Sequence, residues 1–180
     1  EFRESKGLLI DVRSPDEYYK GHMPNSINIP LFNNDERAIV GKNYKINGKE
    51  IAIMKGLEIV EDKLDNLISE LIFAYENHIR KSQNNNSINK FKIYCARGGM
   101  RSQSIYWLLN KLNLSAVLLR GGYKSYRKTV LNKFDENMKI TLIGGKTGSG
   151  KTKILNILKN NNYQVIDLEF LANHRGSTFG

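Results

Sequence analysis

Cys95 is the residue through which this sequence could do covalent chemistry. It opens the run Cys95-Ala96-Arg97-Gly98-Gly99-Met100-Arg101-Ser102. A strand-like segment, Phe91-Lys92-Ile93-Tyr94, precedes it, and a helical pattern of Ile105, Leu108, Leu109 and Leu112 follows. A loop between a strand and a helix can turn several backbone N–H groups onto one negative charge, and the helix N-terminus adds to that field. Gly98 and Gly99 let the chain curl tightly, while Arg97 and Arg101 supply fixed positive charge. A thiol in such a ring has its pKa lowered, and the thiolate is the reactive species. The arrangement suits attack on an anionic donor, or storage of a transferred atom on sulfur. An inert cysteine would sit among apolar neighbours; two arginines and two glycines within six residues favour function.

A second site lies near the end of the chain. Gly145-Lys146-Thr147-Gly148-Ser149-Gly150-Lys151-Thr152 matches G-x-x-x-x-G-K-[ST] in full, the P-loop pattern. Backbone N–H groups of Gly145, Gly148 and Gly150 can wrap a diphosphate. Lys151 would reach the outer phosphate and Thr152 could hold a magnesium ion. Asp167 is either a magnesium-side carboxylate or a cap for the following turn. The motif says phosphate and leaves open whether the guest is a nucleotide.

These residues need elements to hold them. Leu8-Leu9-Ile10-Asp11-Val12 reads as a buried parallel strand, and Ser14-Pro15-Asp16-Glu17 as a helix start with Ser14 as N-cap and Glu17 completing a capping box. Gly21 ends that helix, and Ile27-Asn28-Ile29 is a short strand closed by Pro30. From Asp35 to Gln83 the pattern is helical, with Leu57, Val60, Leu64, Leu67, Leu71 and Tyr75 predicting one buried stripe. Asn84 to Asn89 reads as a polar loop. Ala116 to Leu119 is a strand, Gly121-Gly122 a turn, and Tyr123 to Phe134 a helix. After a break near Asp135-Glu136-Asn137, Lys139 to Ile143 is expected as a new strand, a helix starts at Lys151, and Gln164 to Leu168 is a further strand.

Strands alternating with helices predict an α/β architecture with parallel sheets. The expected domains are residues 1–135 and the first part of a P-loop NTPase-like domain over 138–180. The chain opens on Glu1 rather than Met and stops inside a motif at Gly180, so it is expected to be a piece of a longer protein. No apolar run is long enough to span a bilayer. A single cysteine rules out an internal disulfide framework and fits a reducing cytoplasm. Formal net charge is +10, with 28 Lys and Arg against 18 Asp and Glu. That balance suits a nucleic-acid partner or reflects an Asn- and Lys-rich compositional bias, as in Asn160-Asn161-Asn162. Composition alone leaves both open, together with the oligomeric state.

The cysteine loop, Asp11-Val12-Arg13-Ser14-Pro15-Asp16-Glu17-Tyr18 and Gly21-His22-Met23-Pro24-Asn25-Ser26-Ile27-Asn28-Ile29-Pro30 together resemble the rhodanese family. The resemblance implies a parallel sheet flanked by helices, with Asp11 and Arg13 as a structural pair; His22 stays a core or capping residue. Five residues separate Cys95 from Arg101, a wider ring that also resembles dual-specificity phosphatases and should accept a tetrahedral oxyanion such as phosphate or selenophosphate.

A rhodanese-like domain followed by a P-loop resembles the bacterial tRNA 2-selenouridine synthases. Val40 to Gly48, Arg120-Gly121-Gly122-Tyr123-Lys124, Asp167-Leu168-Glu169 and Ala172 to Ser177 extend the likeness. Ala96 departs from it, standing where an aromatic residue is expected. This resemblance implies exchange of sulfur for selenium in wobble 2-thiouridine of tRNA, with selenophosphate as donor and geranyl diphosphate as co-substrate. It implies that Cys95 carries selenium as a perselenide. No metal site is expected beyond magnesium at the P-loop, which is open to geranyl diphosphate or a nucleotide. The alternatives are a sulfurtransferase, a cysteine-dependent phosphatase, or a non-catalytic binding module.

Overall fold

The computed structural model describes residue 2 and residues 5–81, 90–136 and 139–173. Two compact units result, Glu1–Glu136 and Asn137–Gly180.

The first unit is built on a four-stranded parallel sheet. Its strands are β1 (Gly7–Asp11), β2 (Ile27–Asn28), β3 (Lys90–Tyr94) and β4 (Ala116–Leu118), in the order β2-β1-β3-β4. Ile10 pairs with Ile27 on one side and with Ile93 on the other, and Ile93 pairs with Leu118. Between the strands run α1 (Pro15–Tyr19), α2 (Asn34–Ile46), α3 (Gly48–Glu61), α4 (Leu64–Lys81) and α5 (Met100–Lys111), with α6 (Gly122–Phe134) after β4. The core joins Leu8, Ile10 and Val12 to Phe91 and Ile93, with Leu67 and Leu71 from α4 and Ile105 and Leu109 from α5.

This strand order decides where chemistry can occur. The chain leaves β1 toward β2 on one side and leaves β3 toward β4 on the other. The loops after the two central strands therefore part at their carboxyl ends, and such a switch point is where open α/β sheets bind ligands. Asp11 and Arg13 brace that end from below: Arg13 Nη2 donates to Asp11 Oδ2 at 2.6 Å and to the Gly21 carbonyl at 2.8 Å. The Arg13 guanidinium also lies 4.0 Å from the Tyr123 ring centroid.

The helical stretch before β3 differs from the expected single stripe. It breaks at Asn47-Gly48 and again at Asp62-Lys63, giving three helices, and Gly48 has φ +87°. α3 turns Ala52 and Gly56 inward and leaves Leu57 outward at 64% exposure, while Leu67 and Leu71 carry the buried face of α4. Residues 84–89, expected as a loop, lie outside the described residues.

In the second unit, α7 (Lys151–Asn160) and α8 (Leu168–Leu171) form. The strands expected over Lys139 to Ile143 and Gln164 to Leu168 do not. An extended segment becomes a strand only by ladder hydrogen bonding, and neither segment has a partner strand among the described residues. Ile140 and Leu142 are accordingly exposed, and Leu168 begins α8 instead of ending a strand.

Candidate active site

Cys95 follows β3 directly and is buried at the switch point. Its Sγ lies 3.2 Å from Ser102 Oγ and 3.9 Å from the Gly99 carbonyl oxygen. Burial alone pushes the thiol pKa up, because it penalises the charged form. The Ser102 hydroxyl and the N–H groups of Arg97, Ser102 and Gly99 act against it, and the net shift is downward. The thiolate is thus favoured by short-range donors, the loop amides expected from the sequence together with the Ser102 hydroxyl, which the sequence reading did not single out. Ser102, the third residue of α5, is fully buried on the helix face it shares with Ile105 and Leu109.

The loop is clamped by the start of α6. Tyr123 N–H donates to the Cys95 carbonyl at 2.9 Å and Lys124 N–H to the Ala96 carbonyl at 3.0 Å. The two backbones approach so closely that a Cβ on Gly122 would lie 2.2 Å from the Cys95 carbonyl oxygen. Gly122 also has φ +57°, a left-handed conformation that side chains disfavour. In the cysteine loop, Gly98 is held at φ +69° against the same turn, whereas Gly99 has open space and serves as N-cap of α5.

The two loop arginines part company. Arg101 is committed to Glu17 of α1: Nη1 donates to Oε2 at 2.6 Å and Nη2 to Oε1 at 3.2 Å. Glu17 also accepts from the Ser14 N–H at 3.2 Å, closing the capping box, and lies 3.7 Å from Arg37 Nε. Burial raises the Glu17 pKa, but the Arg101 hydrogen bonds and charge, the Ser14 amide and Arg37 outweigh it, so this carboxyl is held below its ordinary range. Arg97 is exposed, and its side chain makes no hydrogen bond or ion pair among the described residues. Sequence reasoning placed Glu17 as a cap and missed its hold on Arg101. Its only early signal was the family segment in which it stands. His22 is exposed, stacks on the Tyr18 ring at 3.9 Å between centroids, and meets the Tyr18 carbonyl through Nδ1.

In the second unit the phosphate motif opens a helix, as expected, but no strand precedes it among the described residues. Gly148 and Gly150 take φ +82° and +84°, and Gly150 is the N-cap of α7. Lys151 Nζ donates to the carbonyls of Gly145 and Lys146 at 2.9 and 3.0 Å, so the ammonium folds back over its own loop. Thr152 is exposed on the first turn. Asp167 is used as a cap: its Oδ1 accepts from the Phe170 N–H at 3.0 Å. Residues 174–177, which completed the sequence resemblance, lie outside the described residues.

A rhodanese-like domain model matches residues 1–129. The chain belongs to the rhodanese-like family. A crystal structure of the N-terminal domain of a Clostridium difficile 630 protein described as ATP/GTP binding agrees, with TM-score 0.58 and 42% identity, covering 71% of this chain and 91% of that one. Residues 138–180 match the tRNA 2-selenouridine synthase AAA domain. The tRNA 2-selenouridine synthase of Nitrosomonas eutropha is 42% identical over 177 residues, covering 96% of this chain and 42% of its own length. That of Nitrosomonas europaea is 38% identical over 176 residues, covering 96% and 43%. The chain thus spans less than half the length of these curated relatives, and it pairs a rhodanese-like domain with part of an AAA domain. Among the described residues, no helix is long and apolar enough to cross a membrane.

Proposed function

We propose that this chain carries out the chalcogen exchange of a tRNA 2-selenouridine synthase, replacing sulfur by selenium in wobble 2-thiouridine with selenophosphate as donor. The observation that carries this reading is the buried Cys95 thiol, favoured as thiolate by Ser102 and by loop N–H groups, inside a chain similar to those synthases over 96% of its length. Cys95 is the nucleophile that meets the donor. Arg97, the loop cation without a side-chain partner among the described residues, receives the phosphate oxygens together with the loop amides, and Arg101 shapes the ring from its place on Glu17. The reaction is cytoplasmic and its macromolecular substrate is tRNA.

The second site fits a diphosphate. Two left-handed glycines open α7, and a lysine at the first helical position lies within reach of the same loop. Gly145, Gly148, Gly150, Lys151 and Thr152 would hold the diphosphate of geranyl diphosphate, with magnesium at Thr152 as an optional companion. Bound there, the ligand supplies an allylic carbon. Attack by the thiouridine sulfur forms a C–S bond and breaks the C–O bond, and Lys151 stabilises the departing diphosphate. The alkylated sulfur is then a better leaving group for selenium.

A cysteine-dependent phosphatase needs a carboxylic acid to protonate its leaving group. Glu17, the carboxylate joined to this loop, is held ionised by Arg101 and donates nothing, which argues against that reading. The test uses the full-length protein with thiolated tRNA, selenophosphate and geranyl diphosphate, with digested nucleosides read by mass spectrometry. Cys95→Ser should lose selenouridine while still forming geranylated thiouridine. Lys151→Ala should lose geranylation, and pre-geranylated tRNA should restore selenium transfer to it. Selenouridine formed at the wild-type rate by Cys95→Ser would remove the covalent role of this thiol, and a strict need for ATP would assign the second site to a nucleotide.

A further inference from the structure

The net charge of +10 is not spread along the chain. Between Cys95 and Phe134 there are eight Lys and Arg and no Asp or Glu, so this stretch carries eight of the ten net positive charges. The remaining 140 residues are nearly balanced, which is not what a general compositional bias produces. Within the stretch, α6 sorts its residues by face. Gly122, Tyr123, Tyr126 and Val130 are buried or half-buried, whereas Lys124, Arg127 and Lys128 are exposed, as is Arg120 just before the helix. Those four cations make no side-chain hydrogen bond or ion pair among the described residues, and neither does Arg97. Lys63 and Arg101, by contrast, are each taken up by a carboxylate.

The position of this face is fixed relative to the thiol. The first turn of α6 donates its amides to the carbonyls of Cys95 and Ala96, so Lys124 begins one hydrogen bond away from the reactive loop. Three cations at i, i+3 and i+4 then continue along one exposed side of the helix. A ligand lying on them needs negative charge repeated along its length and a reactive group at one end.

We propose that the outer face of α6, formed by Arg120, Lys124, Arg127 and Lys128, is the surface that holds the tRNA phosphate backbone and leads the modified base to Cys95. This rests on the tRNA-modifying function proposed above and adds where the RNA lies. Each phosphate neutralised by these side chains releases condensed counterions, so the face contributes a salt-dependent share of affinity.

The experiment compares two triple variants of the full-length protein: Lys124→Ala with Arg127→Ala and Lys128→Ala, and a control with Lys42→Ala, Lys45→Ala and Lys49→Ala, three exposed cations of α2 and α3. The probe is a tRNA transcript carrying 2-thiouridine at the wobble position, titrated across several salt concentrations. The α6 variant should bind about tenfold or more weakly at about 0.1 M salt. Its slope of log affinity against log salt should shrink by about 2 to 3, from roughly 0.7–0.9 per lost phosphate contact. The control should stay within about threefold, and both should keep the wild-type melting temperature and Cys95 alkylation rate. Equal losses in the two variants, or unchanged affinity in the first, would overturn the assignment. Unchanged tRNA affinity with lost retention on phosphatidylserine vesicles would give this face to a lipid surface instead. If the unsubstituted protein does not bind the tRNA at all, the functional reading fails and this one with it.

Discussion

Replacing Ser102 by Ala tests what makes Cys95 reactive. Ser102 has a single hydroxyl proton and two claims upon it, the Gly99 carbonyl at 3.0 Å and Cys95 Sγ at 3.2 Å. When sulfur is protonated, the hydroxyl can serve Gly99; when sulfur is ionised, the proton turns to it. A hydrogen bond to a charged group contributes about 1.5–3 kcal/mol, and surrendering the neutral one costs about 1 kcal/mol. The difference is about 0.5–2 kcal/mol in favour of the thiolate, or roughly two- to thirtyfold in the thiolate-to-thiol ratio at fixed pH. Solvent does not dilute this, since Ser102 and Cys95 are 0% and 3% exposed. The assay is the pH dependence of iodoacetamide alkylation at Cys95, followed on the tryptic peptide. Ser102→Ala should move the alkylation profile toward higher pH, with an unchanged plateau at high pH where all sulfur is ionised. A profile that stays in place would show that the loop amides alone set this thiol and that the 3.2 Å contact is incidental.

Other perturbations follow from the same contacts. Glu17 has a depressed pKa in the folded chain, so its contribution is present above the unfolded carboxyl pKa and is lost as pH falls through the folded value. Glu17→Gln should therefore flatten the acid limb of stability below about pH 5, read as the urea midpoint against pH; an identical acid limb would contradict the clamp on Arg101. Gly122→Ala must move a Cβ out of the Cys95 carbonyl and adopt φ +57°, and should destabilise by more than about 2 kcal/mol in denaturant melts. An unchanged midpoint would mean that the α6 turn yields easily. Arg97→Ala should raise the KM for selenophosphate several-fold and leave the Cys95 alkylation profile unchanged, since this side chain is exposed and unpaired among the described residues. A shifted profile would make it part of the thiolate's own stabilisation.

The cysteine loop and the phosphate motif were legible in the sequence because each is a contiguous run in which strand, turn and helix signals agree. The Glu17–Arg101 pair was not, because its two side chains stand 84 positions apart and meet only once β1 and β3 lie side by side. Ser102 was named without its role for a related reason. Its place beside sulfur depends on the tight curl of Gly98 and Gly99, which the sequence permits without specifying. The helix breaks were partly visible: Gly48 interrupts an otherwise helical pattern, whereas Asp62-Lys63 carries no turn signal. The expected strands over 139–143 and 164–168 fail on a non-local condition. Apolar periodicity reports a preference for extended backbone, and a ladder needs neighbours that the segment itself does not encode.

The two arginines of the loop suggest how a nucleophile and an anionic donor can share one small ring. A thiolate stabilised chiefly by guanidinium charge would lose that support when a multiply charged donor arrived to claim the same cation. Here the sulfur is held by the Ser102 hydroxyl at 3.2 Å, which it shares with the Gly99 carbonyl, and by loop amides. Arg101 is already neutralised by Glu17, so its charge neither holds the thiolate nor is cancelled by the donor. That leaves Arg97, exposed and unpaired among the described residues, for the incoming anion. Thiolate formation then rests on the Ser102 hydroxyl and the loop amides, while Arg97 offsets part of the negative charge that the donor brings beside the sulfur. The clamp on Arg101 is what makes this separation possible, because it removes one full positive charge from the contest while keeping the guanidinium plane as part of the wall.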